Sequence, residues 1–511
     1  MKLTRREFLK SASLYALGSL GTLAQPGRKR RKAAANDRPN IIILLFDALS
    51  ARNMSLYGYP RQTTPHIARF AERATVYHRH YAAGNFTSPS TASLLTGTYP
   101  WTHRAFQQAG LIRRTLADHN LFQLLDGAYE RVAFTQNIWV DLFLYQFRQS
   151  LDVHVKSTAY SLDEYIRYND GVWQNDPLIA FRSHEDFLEQ DFGIPGSLYF
   201  SLADKVRSYL AHKFDFRELR DEYPRGIPNF SKYKAYFMLE QVFEGVAQEL
   251  IRLREPFAGY FHLWPPHEPY LPNRHFIGLF DDGWSPVRKP PHTLSNELPE
   301  QTLDSSRREY DEFVSHVDHE FGQLYDRLQT AGLLENSYLI VTSDHGEMFE
   351  RGVRGHVTPL LYDPVIHVPL LISAPGQSAR RDIHSLTSCV DLVPTLLNFT
   401  ANPAPDWLEG TLLPGFGGEE NAHPVFTVEA KKNPAASPLT QATFAMLEGD
   451  YKLILYFGYP GYEDVCELYN LREDPEELND LGRSRSVILD DMKSHLQFRL
   501  AHSDRPFHDK N

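Results

Sequence analysis

Cysteine is almost absent from this 511-residue chain. Two residues, Cys389 and Cys466, cannot build a disulfide framework. The sequence favours buried free thiols over a single bridge, and neither thiol reads as a metal ligand. Long apolar runs are equally scarce. Residues 11–24 are weakly apolar, but at about 1.5 Å per residue they reach only ~21 Å against a hydrocarbon core of ~30 Å. That excludes a comfortable membrane span there, and no other segment is longer and as apolar. A basic surface is lacking too. The formal charge is −11, and the first 35 residues hold nine Lys/Arg against Glu7 alone, so removing that +8 leaves −19 for the rest. An acidic body of this kind excludes nucleic-acid backbones as partners. Internal repeats and long low-complexity tracts are also missing.

What is present starts with a separate N-terminal object. Thr4-Arg5-Arg6-Glu7-Phe8-Leu9-Lys10 resembles the twin-arginine export motif, and residues 11–24 suit a signal h-region. The resemblance implies export to the periplasm or the cell exterior. The cluster Arg28-Lys29-Arg30-Arg31-Lys32 is either a charged linker before an Ala33-Ala34-Ala35 cleavage site or a patch that holds the protein at an anionic membrane surface. With 42% hydrophobic and 23% charged residues, the remainder suits one large domain plus a smaller one.

From Pro39 the pattern is α/β. Asn40-Ile41-Ile42-Ile43-Leu44-Leu45-Phe46 is a continuous apolar run, expected of a strand buried on both faces of a parallel sheet. Asp47 closes it, where open α/β sheets place ligands. Helices are expected over residues 64–73, with Pro65 at the first position, and over residues 88–96, which puts Thr87 at a helix N-terminus. Residues 138–235 read as an insertion of short helices, either a specificity cap or scaffolding. An amphipathic helix over residues 236–253 leads to a strand at residues 257–263, then Pro266-His267-Glu268-Pro269. A Pro-rich loop near residues 273–299, a helix over residues 309–331 and strands at residues 338–342 and 368–373 follow. After about residue 401 the segments 424–428, 442–448 and 452–457 read as antiparallel strands, and a final helix closes the chain.

Three pieces carry chemistry. They are Asp47 after the first strand, the segment Asn85-Phe86-Thr87-Ser88-Pro89-Ser90-Thr91, and Ser343-Asp344-His345-Gly346-Glu347. In this order, with Pro-His-x-Pro between them and Glu467-Leu468-Tyr469-Asn470-Leu471-Arg472-Glu473-Asp474-Pro475-Glu476 behind, they resemble the sulfatase family of the alkaline phosphatase superfamily over residues 38–485. The resemblance implies an alkaline phosphatase-like α/β sandwich. Its central, mostly parallel sheet lies between helices, with a small C-terminal antiparallel α+β subdomain over residues 401–511 and the catalytic domain over residues 36–400. Sulfatases have Cys or Ser where Thr87 stands, oxidised to formylglycine, and Arg where Thr91 stands. Thr87 instead resembles the hydroxyl nucleophile of lipoteichoic acid synthases, phosphoethanolamine transferases and phosphodiesterases.

The implied ligands of one divalent metal are Asp47, Thr87, Asp344 and His345. The family's paired acids are reduced to Asp47 followed by Ala48, which favours manganese or zinc, with calcium the alternative. His267 and His356 are the implied catalytic histidines, able to protonate a leaving oxygen or bind a phosphate oxygen. His367 is expected to be structural. The family's active-site Lys has no counterpart, and Thr358 stands near its place. The leading expectation is an exported metal-dependent hydrolase or transferase that cleaves phosphate esters, lipid- or glycan-linked, through a covalent Thr87 intermediate. The alternatives are a sulfuric ester hydrolase of the same fold and a degenerate protein that binds without turnover.

Overall fold

The computed structural model describes residues 38–162, 217–230, 236–420, 423–462 and 464–508. The segment expected to be an export signal and most of the 138–235 segment lie outside the described residues. Residues 38–511 form one compact unit.

The chain builds an eight-stranded sheet from strands β1 (Asn40–Asp47), β2 (Thr75–Tyr77), β3 (Glu130–Thr135), β4 (Val153–Val155), β5 (Phe257–Pro266), β6 (Ser337–Ser343), β7 (Leu370–Ser373) and β8 (Arg381–Ile383). Their spatial order is β8-β2-β7-β6-β1-β5-β3-β4. Only β7 runs antiparallel to its neighbours. β1 is central and parallel to both β5 and β6, and all eight of its residues are buried. Its unbroken apolar run follows from that position, since a central strand has no wet face.

Helices α1 (Pro65–Ala71), α2 (Thr87–Thr96), α3 (Ile138–Gln146), α4 (Leu239–Arg252), α5 (Glu300–Thr330) and α6 (Leu392–Phe399) cover the sheet. One apolar core joins Ile41, Ile43, Leu45, Leu94 and Leu396, and another joins Ile42, Leu44, Phe46, Val246 and Phe321. The alternating side chains of β1 therefore feed opposite layers. Near the C-terminus, β9 (Val425–Glu429), β10 (Ala442–Glu448), β11 (Tyr451–Phe457) and β12 (Val465–Asn470) form an antiparallel sheet, followed by α7 (Ser486–His508). The expected fold class is the one observed.

Several boundaries differ from expectation. Helix α5 starts at Glu300, nine residues before its apolar periodicity becomes plain, because its first turns bury only Leu303 and Ser306. Strand β5 runs on through Pro266. Residues 138–155 are sheet architecture: α3 is the crossover, and β4 pairs with β3 through Val132–Val153 and Phe134–Val155. Cys389 is buried and Cys466 half-buried, and both are free.

Candidate active site

The site forms at the C-terminal ends of β1, β5 and β6. Asp47 ends β1, and Asp344 and His345 follow β6 directly. A register shift between Phe46 and Asp47 turns the strand end out of line. Ala48 takes φ +62°, a conformation costly for a residue with a Cβ. Its amide is thereby aimed at Asp344 Oδ1, 3.3 Å away. Thr87 is the first residue of α2, and Phe86 before it offers no side-chain cap. The first-turn amides and the positive helix end thus serve the site rather than a capping side chain.

Asp47, Asp344 and His345 are fully buried, and Thr87 is 4% exposed. His345 Nε2 lies 3.4 Å from Asp47 Oδ1, 3.6 Å from Asp344 Oδ2 and 3.4 Å from Thr87 Oγ1. Its Nδ1 faces the Gly346 carbonyl at 2.9 Å, so the ring proton is donated there and Nε2 is turned to the centre. Each carboxylate is used unevenly. Asp344 Oδ1 accepts from the amides of Ala48 and His345, while Asp344 Oδ2 accepts no hydrogen bond. Asp47 Oδ2 accepts from Asn137 Nδ2 at 2.5 Å and faces His262 Nε2 at 3.2 Å, while Asp47 Oδ1 accepts none.

Two naked buried carboxylate oxygens, an imidazole nitrogen and a hydroxyl therefore converge. His345 Nε2 lies within 3.6 Å of a bare oxygen of each acid and of the Thr87 hydroxyl, and mixed N/O donors of this kind suit a divalent ion. The four residues fit a divalent cation.

Electrostatics agree with a strongly coupled cluster. Burial works to raise the Asp47 carboxyl, but the facing histidines His267, His262 and His345 hold it well below its usual range. Burial and the Asp47 charge push Asp344 up. Burial opposes a charge on His345, yet Asp344 and Asp47 outweigh it and raise the ring to about 9. Without a cation, a proton on His345 balances the two acids.

His356 and His267 extend the cluster outward. Ring centroids of His345 and His356 are 4.2 Å apart, and those of His356 and His267 are 4.9 Å apart. His356 Nδ1 pairs with Glu347 Oε2 at 3.1 Å, and His267 Nδ1 faces the Glu268 carbonyl at 2.9 Å. Burial and the neighbouring His345 lower His356. His356 is buried and His267 half-buried. Asn85 Nδ2 holds the carbonyls of His356 and Thr358, each at 2.8 Å.

The structure thus brings together all six singled-out residues: Asp47, Thr87, Asp344, His345, His267 and His356. His367 stands apart, its Nε2 on the His78 carbonyl at 2.9 Å and its ring stacked on Tyr81.

Sequence reasoning missed Asn137 and His262. Asn137 also reaches Thr87 Oγ1 at 3.3 Å and caps α3 through its Oδ1. It follows β3, a strand too mixed in character to be recognised. His262 was visible as the one imidazole of the segment Phe257-Ala258-Gly259-Tyr260-Phe261-His262-Leu263. A second acid–histidine group, Glu240, His316 and Glu320, lies on α4 and α5. There His316 Nδ1 accepts the Asn273 amide at 3.3 Å, so its own proton sits on Nε2 toward the carboxylates. That geometry suits a proton-mediated pair better than an ion.

The fold is thus an α/β sandwich that holds a carboxylate–imidazole–hydroxyl cluster at the ends of its central strands. The sulfatase family's sequence model matches residues 39–402, and the C-terminal model of N-sulphoglucosamine sulphohydrolase matches residues 357–504. The chain belongs to the sulfatase family. It is 22% identical to a choline-sulfatase of Rhizobium meliloti (strain 1021), over 91% of this chain and 87% of the relative. It is 23% identical to arylsulfatase K of Homo sapiens, over 92% and 83%. Among solved structures, the phosphonate monoester hydrolase of Agrobacterium radiobacter superposes with a TM-score of 0.65 at 18% identity, covering 91% of this chain and 96% of that one. The structure of BT4656 in complex with its substrate D-glucosamine-2-N,6-O-disulfate superposes with a TM-score of 0.62 at 17% identity, covering 93% of this chain and 99% of that one. Sulfatase-family enzymes use a metal ion, and the acid–histidine cluster here is positioned for one.

Proposed function

We propose that this sulfatase-family hydrolase cleaves phosphate-type esters, phosphodiesters or phosphonate monoesters, through a covalent bond to Thr87 Oγ1. The observation that carries the reading is Thr87 at the start of α2, its oxygen 3.4 Å from His345 Nε2, the nitrogen that also lies 3.4 and 3.6 Å from the unpaired oxygens of Asp47 and Asp344. Asp47, Asp344, His345 and Thr87 would hold one divalent ion, zinc or manganese. When bound, that ion supplies a lowered hydroxyl pKa and neutralises charge on the substrate's oxygens.

The chain's own groups do the rest. Asn137 donates to Thr87 Oγ1 and to Asp47 at once, aiming the nucleophile. Thr87 Oγ1, its proton already lost to solvent, bonds to phosphorus as the ester oxygen departs, and that oxygen takes a proton from the His267 imidazolium. In the second half, the neutral ring takes a proton from water as that water attacks phosphorus and Thr87 is released. His356, oriented by Glu347, binds a non-bridging oxygen.

Thr87 supports the phosphate reading on chemical grounds. A formylglycine hydrate can expel its group by breaking its own carbon–oxygen bond, using a second hydroxyl on the same carbon. Threonine has no second hydroxyl, so its adduct must be released by attack at the central atom. The absent Arg at Thr91 and Lys at Thr358 point the same way. The second reading, sulfate-ester hydrolysis, is favoured by the substrate class in the names of the relatives. A panel of aryl phosphodiesters, phosphonates, phosphomonoesters and sulfates separates the two, together with mass spectrometry of the Thr87 peptide during turnover. We expect a phosphoryl adduct and phosphodiester or phosphonate cleavage, both lost in Thr87→Ala. Turnover that survives in Thr87→Ala, or a panel in which only sulfates react, would overturn the phosphate reading.

The likeness to lipoteichoic acid synthases and phosphoethanolamine transferases rests on Thr87 and the Asp344-His345 pair, and it makes transfer to an alcohol the alternative fate of the adduct. Export by the twin-arginine route belongs to the same proposal, supported by Arg5-Arg6 and the run that follows. The basic stretch at residues 28–32 adds peripheral association with a membrane. Among the described residues no helix is long and apolar enough to cross one.

A further inference from the structure

We propose that His262, backed by Tyr260, is a positioning residue that makes Asp47 a one-oxygen ligand and thereby selects a four-coordinate ion over calcium. The inference rests on the ligand reading of Asp47, Asp344, His345 and Thr87 given above.

His262, Asp47 and Asp344 place ligand-capable atoms within 4.8 Å of one another. Distance by itself leaves His262 as either a ligand or a donor. The pattern of hydrogen bonds decides. The two oxygens without a partner are Asp47 Oδ1 and Asp344 Oδ2. His345 Nε2 stands 3.4 and 3.6 Å from these, with Thr87 Oγ1 3.4 Å from the same nitrogen. His262 Nε2 is nearest the other Asp47 oxygen, Oδ2, at 3.2 Å, the one already held by Asn137, and lies farther, 4.0 Å, from the bare Asp344 Oδ2. Its Nδ1 meets the hydroxyl of Tyr260 at 3.0 Å. A phenol donates to Nδ1, which fixes the ring proton on Nε2, where it points at Asp47. Burial and the nearby carboxylates keep the Tyr260 hydroxyl un-ionised. Tyr260 and His262 are fully buried on β5, so no water replaces either donor.

Asp344 is treated in the same way by different atoms, its Oδ1 held by two backbone amides. Both carboxylates therefore have one oxygen occupied by two N–H groups and one oxygen bare. Each can offer a single bond to an ion. Calcium takes six to eight oxygens, commonly with two-oxygen carboxylates. Zinc accepts four N/O donors at short range. With Ala48 in place of the family's second acid, the site is short of the oxygens calcium needs. The clamp on Asp47 Oδ2 prevents the remaining acid from supplying another.

The test is metal binding itself. Apoprotein is titrated with zinc and with calcium against chromophoric chelators, and X-ray absorption of the zinc-loaded chain counts ligands. Wild type should bind one zinc with four N/O ligands, one of them imidazole, and prefer zinc strongly over calcium. His262→Ala should weaken zinc about 10–100-fold, the usual effect of removing a group that orients a ligand, with the imidazole count unchanged and the calcium preference raised. His262→Gln, which keeps an N–H donor, should recover most of the affinity. Tyr260→Phe should give a smaller loss, and circular dichroism confirms that each variant is folded. Loss of the imidazole signal in His262→Ala would make His262 a ligand and overturn the proposal. Unchanged affinity in that variant would overturn it as well. Failure of the wild type to bind zinc at all would instead defeat the ligand reading on which the proposal stands.

Discussion

Raising the pH from 6.5 to 9 without any divalent cation probes the Asp47–Asp344–His345 cluster directly. Burial disfavours a charged His345, but Asp344 and Asp47 outweigh it and raise the ring from 6.5 to about 9. A group whose folded value lies above its unfolded one stabilises the fold fully below the unfolded value. That contribution disappears as pH climbs through the folded one. The window is therefore pH 6.5 to 9, and the shift corresponds to on the order of 3 kcal/mol. Other groups fall on the low side of this window. Burial raises Asp318 and Glu320 to about 7, so their share is lost largely before His345 titrates.

The measurement is urea unfolding of metal-free wild type and His345→Asn at pH 6, 7.5 and 9. The difference between the two proteins isolates the histidine. We expect wild type to lead at pH 6 and that lead to fall by on the order of 3 kcal/mol by pH 9. Zinc-loaded wild type should show no such fall. Zinc binding at pH 7 should release a proton, read by calorimetry in buffers of different ionisation enthalpy. A difference that stays flat from pH 6.5 to 9, or binding without proton release, would refute the idea that a proton stands in for the ion.

Three further outcomes follow from the packing. Lys452 is fully buried between Asp363 Oδ1 at 3.0 Å and Glu477 Oε1 at 2.7 Å. Lys452→Met leaves two buried acids uncompensated and should cost about 3–5 kcal/mol in urea unfolding. Asn85→Ala removes both hydrogen bonds to the His356 and Thr358 carbonyls. It should cost ~1–3 kcal/mol and lower kcat more than it changes KM, because His356 loses its support. Gly346→Ala places a Cβ 2.1 Å from the Pro364 carbonyl oxygen. It should destabilise by about 3 kcal/mol and deplete bound metal, measured by thermal unfolding and elemental analysis.

The parts of the fold visible beforehand are those with local signatures. The unbroken apolar stretch of β1 announces a strand covered on both sides. Thr87 before Ser88-Pro89 announces a helix start, and Ser343-Asp344-His345-Gly346 sits where a buried strand must end. Elements without such signatures were lost. β2 is three residues long, and β8 carries Arg381 and Asp382. β3 starts with Glu130 and Arg131, which are only half-buried. Each is a strand only because a neighbour offers it hydrogen bonds.

The resemblance to the sulfatase family supplied the six side chains that meet at the strand ends, while the sequence by itself determined the α/β order and the helix that presents Thr87. It determined these because hydrophobic period, proline position and turn residues act over a few positions of chain. The tertiary structure alone decided what surrounds that set. Asn137 and His262 reach Asp47 across 90 and 215 residues of chain. The register of β1 against β5 sets Leu45 beside His262 and Asp47 beside Pro266. Which carboxylate oxygen is held and which left bare depends on donors arriving from four separate segments, and no local pattern encodes that convergence.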